Sequence, residues 1–224
     1  MDVESIARGA KDGQFPPVCV LVGGESFLIE RALSALRKTI VGEAGAGFNE
    51  DVFHGKSTSG DVVVRSANTL PMFASARLVV VRDLEAVASA DLDAVAAYAE
   101  SPSPSTCLVL LGEKLDGRTR LAKLAKQKGF LCDVQALKGD ALRRFVASEA
   151  SARGHRIDGR ASEALLDATG SDLATIDDAL ERLSLFVGAG AAIGTADVEA
   201  CVARVRVDTI WMLVDAINEG DARR

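Results

Sequence analysis

Apolar residues are distributed in two regimes along this chain. Up to about Leu137, short apolar runs alternate with segments of helical period; beyond Gly139 only the helical period continues. The short runs are Val18 to Val22, Phe48 to Phe53, Leu78 to Val81, Thr106 to Leu111 and Phe130 to Val134. Leu78 to Val81 is β-branched and apolar at successive positions, which suits a strand covered on both faces, the condition of a parallel sheet; Val18 to Val22 and Thr106 to Leu111 are similarly apolar, and Phe48 to Phe53 is a plausible second strand despite its polar Asn49-Glu50-Asp51. Between them lie amphipathic segments. Phe27 to Ile40 carries Leu28, Ala32, Leu36 and Ile40 on one side. Thr58 to Thr69 turns Val62, Val63 and Ala67 inward, and Ser89 to Ala99 has Ser89 placed as an N-cap. Ser101 to Ser105, although Pro- and Ser-rich, is followed at once by a strand and reads as an in-domain loop. This alternation predicts an α/β domain with helices on both faces of a parallel sheet.

The second regime predicts a small all-helical domain. Its helices are expected at Asp140 to Ala152, Gly159 to Thr169, Asp172 to Val187, Thr195 to Val205 and Asp208 to Glu219, with no further strand. Asp158, Ser171, Thr195 and Asp208 are suitable N-caps, and Gly154, Gly170 and Gly188 fall where helices should stop. The divisions expected are 1–138, 139–205 and 206–224, the last opening a segment that leads into a further domain. The chain stops four residues after Gly220, which suggests that this further domain belongs to a longer protein; a natural terminus is the alternative.

One stretch departs from the regular pattern. In Asn68 to Leu84, NTLPMFASARLVVVRDL, the large residues Leu70, Met72 and Phe73 sit on a helix-like segment directly ahead of an interior strand. Pro71 interrupts any helix there, and Ala74-Ser75-Ala76 offers little to cover them. They either form an exposed hydrophobic plug or fold back into the local core, where large apolar residues are usually found.

Composition narrows the function. The net charge of −6 argues against a protein that grips nucleic acid over its whole surface, so any DNA contact must be local or shared with other subunits. Aromatic residues make up only 4% of the chain, too few for a base-stacking platform. No apolar run approaches the roughly 18 residues needed to span a bilayer, and the N-terminus is too polar and acidic for a secretory signal. The expected setting is cytoplasmic. Cys19, Cys107, Cys132 and Cys201 are scattered, with only His54 and His155 to assist, so no metal site is expected and reduced, buried thiols are the natural reading.

Two stretches could carry binding chemistry. The turn Gly23-Gly24-Glu25-Ser26 stands between a strand and a helix, where a phosphate-cradling loop would sit, but it is short and lacks the Lys-Ser/Thr step. Phe27 and Leu28 occupy the place of those groups, and Glu25 would repel a phosphate. It is a phosphate loop that has lost its function or one that never had it. The segment Gly112 to Gly129 is the most basic in the chain, with Lys114, Arg118, Arg120, Lys123, Lys126 and Lys128 around an apolar seam of Leu121 and Leu124. It reads either as an amphipathic helix with a solvated basic face or as a binding surface for DNA or a subunit.

Taken in order, VCVLVGGESFLIERAL, LPMFASARLVVVRDL, EKLDGRTRLAKLAKQKG, GSDLATIDDALERLSLF and TADVEACV followed by DTIWMLVDAINEGD give a chain that resembles the delta subunit of bacterial DNA polymerase III. The resemblance covers nearly all of the sequence. It implies an AAA+-like domain, a helical lid and then a collar domain that assembles the clamp loader. It also implies a non-catalytic subunit of the polymerase holoenzyme, without cofactor, that binds and opens the sliding clamp so that it can be loaded on DNA. The implied partners are the clamp, the sister ATPase subunits and, through the complex, primer-template DNA, with no membrane. By position, the hydrophobic pair the family carries on the helix before the third strand is Met72 and Phe73, with Leu70 alongside. The chain departs from the family in having Pro71 inside the motif and Met72 where leucine is common; Met is flexible and apolar enough to fill the same pocket. Two rival readings are an active AAA+ nucleotide hydrolase and a helix-turn-helix DNA-binding regulator. The second is weakened by Asp172, Asp177, Asp178 and Glu181 against the single Arg182 in the helix that would read DNA.

Overall fold

The computed structural model describes residues 2–42 and 47–202. The chain divides into two compact units, Met1–Ala136 and Leu137–Arg224.

The first unit is built on a five-stranded, all-parallel sheet of β1 (Val18–Val22), β2 (Glu50–His54), β3 (Arg77–Arg82), β4 (Thr106–Gly112) and β5 (Leu131–Asp133), in the order β2-β3-β4-β1-β5. This is the AAA+-like parallel α/β arrangement. Every residue of β1 is buried, as an interior strand with helices over both faces requires. The helices are α1 (Val3–Lys11), α2 (Ser26–Ile40), α3 (Gly60–Ala67), α4 (Ser89–Glu100) and α5 (Arg120–Lys128). Side chains alternate along each strand. Val18, Val20 and Val22, with Val79, Val81, Leu108 and Leu110, enter one core with Val63 and Ala67 of α3, Val95 and Ala96 of α4, and Leu121 and Ala125 of α5. α1 packs on α2, which contacts β3. Cys19, Cys107 and Cys132 are buried, free thiols, as the apolar strands predict.

Several local expectations need correction. The polar N-terminus, to which the sequence pattern assigns no element, forms α1, which buries Val3, Ile6 and Ala10 on a single stripe and is capped by Asp2, whose Oδ1 accepts from the Ser5 N–H at 2.8 Å. Ser89 is the first residue of α4, and Ala88 holds the cap position without a side-chain bond. The basic segment is helical only from Arg120, because the Thr119 hydroxyl caps the helix there by accepting from the Ala122 N–H. α3 ends at Ala67, so Leu70, Met72 and Phe73 lie on an irregular connection rather than a helix.

In the second unit, α6 (Asp140–Ala152), α7 (Gly159–Thr169), α8 (Leu173–Val187) and α9 (Thr195–Cys201) follow the predicted helices. Two short strands, β6 (Arg156–Ile157) and β7 (Ala192–Ile193), pair in parallel where none was expected; two residues are too few to show a period. Asp158 caps α7, accepting from the Ala161 N–H at 2.8 Å. Asp172 rather than Ser171 caps α8, because its carboxylate reaches both the N–H and the hydroxyl of Thr175, at 2.8 and 2.6 Å. Those two bonds hold its carboxyl below the usual carboxylate range. Gly194 rather than Thr195 precedes α9, its N–H donating to Asp197. The helix expected to run from Thr195 to Val205 ends at Cys201, where Val202 turns extended; the helix expected at Asp208 to Glu219 and its Asp208 cap lie outside the described residues. Among the described residues no helix is long and apolar enough to cross a membrane.

Candidate functional site

The connection from α3 to β3 is mounted from three directions. The N-terminus of α3 is met by Asp91 of α4, whose Oδ1 accepts from the Gly60 N–H at 2.7 Å. Its last carbonyl, that of Ala67, accepts from the Thr106 hydroxyl at 2.8 Å and from Tyr98. At the far end, Arg77 opens β3 with its N–H on the Ser105 carbonyl and its guanidinium on Phe48 and Asp51.

Between these anchors the chain exposes its apolar residues instead of burying them. Leu70 is 74% exposed, Met72 50% and Phe73 98%. Two features show that this exposure is built into the loop. The backbone of Met72 is fixed by the buried Asn49 side chain, which donates from Nδ2 to the Met72 carbonyl and accepts at Oδ1 from the Met72 N–H, each at 2.7 Å. Next, Phe73 has φ +56°, a conformation that costs a bulky L-residue about 1–2 kcal/mol. At a large, unburied aromatic residue this is backbone strain that packing of its own side chain does not offset.

Asp51 ties the mount together. Its Oδ2 accepts from Arg77 at 2.5 Å and also from the Ser66 hydroxyl near the end of α3. Burial pushes the Asp51 carboxyl up, but the Ser66 and Arg77 hydrogen bonds and the Arg77 charge outweigh it and hold the group below its usual range.

The structure brings Leu70, Met72 and Phe73 together on one loop and separates them from the candidate nucleotide turn. That turn follows β1, at the C-terminal edge of the parallel sheet, whereas the apolar loop enters β3 at the N-terminal edge. The two are therefore not neighbours. Only Gly23, Gly24 and Glu25 separate β1 from α2. The Gly23 N–H donates to the Gly112 carbonyl and the Glu25 N–H to that of Val134, which takes both groups away from any anion. Gly23 itself is required: at φ +132°, a Cβ would stand 2.2 Å from the Val134 carbonyl oxygen.

The exposed basic segment is partly paired within the protein. Arg118 pairs with Asp116, Arg120 with Glu100, and Lys128 donates to the Glu100 carbonyl. Arg118, Arg120 and Lys123 line a cleft of about 450 Å³ that also contains Glu100, while Lys114 lines a separate cleft of about 580 Å³ with Arg118, Glu85 and Asp116. Lys126 lines neither. Carboxylates thus interrupt the positive surface, and the apolar loop is the more distinctive feature.

Residues missed in the sequence stand beside that loop or apart from it. Asn49 and Phe48 lie next to it, the latter 60% exposed, and Leu185 and Phe186 are exposed on α8. Only Phe48 carries a legible signal, being a large aromatic outside the alternation of its strand; an Asn that clamps a residue 23 positions away has none.

The sheet order and the helices that follow it define the class as an AAA+-like α/β module with a C-terminal helical unit. The model of the DNA polymerase III delta subunit family matches residues 20–135, and the chain belongs to that family. DNA polymerase III subunit delta of Bacillus subtilis (strain 168) is 28% identical over 96% of this chain. The solved structure of the Bacillus subtilis DNA clamp loader delta protein (YqeN) superposes with a TM-score of 0.82 at 28% identity, covering 96% of this chain. The chain spans 65% of the length of the curated relative and 66% of that of the solved one.

Proposed function

We propose that this chain is the clamp-binding part of a clamp-loader delta subunit, and that Leu70, Met72 and Phe73 form the plug by which it holds and opens the sliding clamp. The observation that carries this reading is the presentation of Phe73: almost wholly exposed, at positive φ, beside a Met72 whose main chain is locked. Burying a Phe and a Met in a preformed pocket contributes about 1.5–3 kcal/mol each by area, before the entropy costs of association. A rigid loop loses less conformational entropy on docking, so more of that energy remains to favour the open ring.

In this reading the chain is a non-catalytic member of the holoenzyme. Its turn after β1 has neither the length nor the lysine of a phosphate loop, and ATP acts through sister subunits. The first unit is the AAA+ domain and the second the lid. Lys114, Arg118, Arg120, Lys123 and Lys126 are candidates for contact with sister subunits or with primer-template DNA within the complex.

The test is capture of the bacterial sliding clamp by the parent chain and by Met72→Ala/Phe73→Ala. The double variant should retain its fold and lose capture. Equal capture by both chains would exclude the plug.

A further inference from the structure

The apolar surface does not end with the loop. Phe48 lies one residue before Asn49, so its Cα is about 3.8 Å from the Cα of the residue that grips Met72. It is 60% exposed, on the segment leading into β2, the outermost strand of the sheet. Its main chain is tied to the sheet: the Phe48 carbonyl accepts from Arg77 Nη1 at 2.9 Å, and the next carbonyl, that of Asn49, accepts from the Leu78 N–H at 2.8 Å. Two segments about two dozen residues apart are thus cross-tied so that each presents a large apolar side chain to solvent beside the same buried Asn.

We infer that Phe48 is a fourth member of the docking surface, and that the plug is a two-segment patch seated in one apolar site of the clamp. The inference rests on the clamp reading above. Continuity selects the clamp as the occupant: Asn49 and Arg77 fix the main chain of Phe48 to the same scaffold as that of Met72, which leaves an exposed Phe48 adjoining the loop that the clamp engages. The arrangement also accounts for the position of Arg77, whose buried side chain reaches across to the Phe48 carbonyl while pairing with Asp51. That bond fixes the backbone of an exposed residue, which packing alone does not require.

The experiment measures clamp affinity for the parent chain, Phe48→Ala, Phe48→Asp, and a control with Leu185→Ala/Phe186→Ala in the other unit. Because the Phe48 side chain is exposed and its structural bond is made by the main chain, both Phe48 variants should melt like the parent. Phe48→Ala should weaken clamp binding about tenfold, which corresponds to about 1.4 kcal/mol, and Phe48→Asp should weaken it further. The control should bind as the parent does. If Phe48→Ala binds like the parent while Met72→Ala/Phe73→Ala does not, the inference fails and the clamp reading stands. An equal loss in the Leu185→Ala/Phe186→Ala control also overturns the inference, since it would reflect general apolar adhesion. If the parent does not bind the clamp, or the loop variant binds unimpaired, the clamp reading itself fails and the inference falls with it.

Discussion

Asn49 holds Met72 by both of its main-chain polar groups, with the side-chain amide serving as donor to the carbonyl and acceptor from the N–H, each at 2.7 Å. The geometry imitates one rung of a sheet just ahead of the first β2–β3 pair, Glu50 with Leu78. Replacing Asn49 by Ala should destabilise the chain by about 1–3 kcal/mol, because buried groups lose their partners. Asn49→Asp should cost more than its similar shape suggests, since a carboxylate would face the Met72 carbonyl where the amide now donates. Denaturant melts with unchanged slope would measure the loss, and clamp binding should fall further than the unfolded fraction accounts for. A melt like the parent's would show that the loop does not depend on this clamp.

Phe73 allows stability and function to be separated. Its side chain is 98% exposed and its φ is +56°, so Phe73→Asn removes no packing and places there a residue that tolerates positive φ. The variant should be as stable as the parent or up to about 1 kcal/mol more stable, yet lose clamp capture. A destabilisation above about 1 kcal/mol would mean that Phe73 packs against the protein in solution.

The contrast between what was and was not legible follows from the range of the interactions involved. β1, with every position apolar, announces itself within five residues, and α6 and α7 fall at their predicted bounds because period and stop signals lie within the helices and at their ends. Caps were less determinate: Ser171 and Asp172 both qualify by type, and only the reach of the Asp172 carboxylate to Thr175 decides between them. Met72 and Phe73 could be singled out as large residues without local cover, but their exposure could not, because cover from a distant strand leaves no mark in the local sequence. The Asn49 grip and the positive φ of Phe73 are products of tertiary structure with no local pattern. The edge placement of the loop, opposite the turn after β1, likewise requires the strand order.

The Asp51 link predicts a specific acid sensitivity. Its carboxyl is held below the ordinary value of 3.8, so the ionised form is favoured by folding. The resulting stabilisation is present in full above the unfolded-state value and is lost as pH falls through the lower folded-state one. Asp51→Asn should therefore be less stable than the parent at neutral pH, and the difference should shrink as the pH is lowered from about 5 to below about 3. Melts of both chains across that range check this; a difference that persists at the acid end would point to lost packing or hydrogen bonding rather than ionisation.

The turn after β1 gives a prediction about both folding and nucleotide. Gly23 has φ +132°, and a Cβ there would come within 2.2 Å of the Val134 carbonyl oxygen, a main-chain atom on the path out of β5 that cannot swing aside as a side chain would. Gly23→Ala should cost at least about 2 kcal/mol, from strain and clash together, whereas Gly24→Ala, with nothing within 4 Å of its added Cβ, should be mild. The close approach that forbids a side chain at Gly23 also commits the turn, because the same Val134 carbonyl takes the Glu25 N–H and the Gly112 carbonyl takes that of Gly23. A phosphate site needs converging, unoccupied N–H groups and a cation to neutralise the charge; here the Gly23 and Glu25 N–H groups are spent and the adjoining side chain is the acidic Glu25. Calorimetric titration of the parent with Mg-ATP should accordingly give no saturable heat. Saturable binding that Gly23→Ala abolished would instead place a working nucleotide site at this turn.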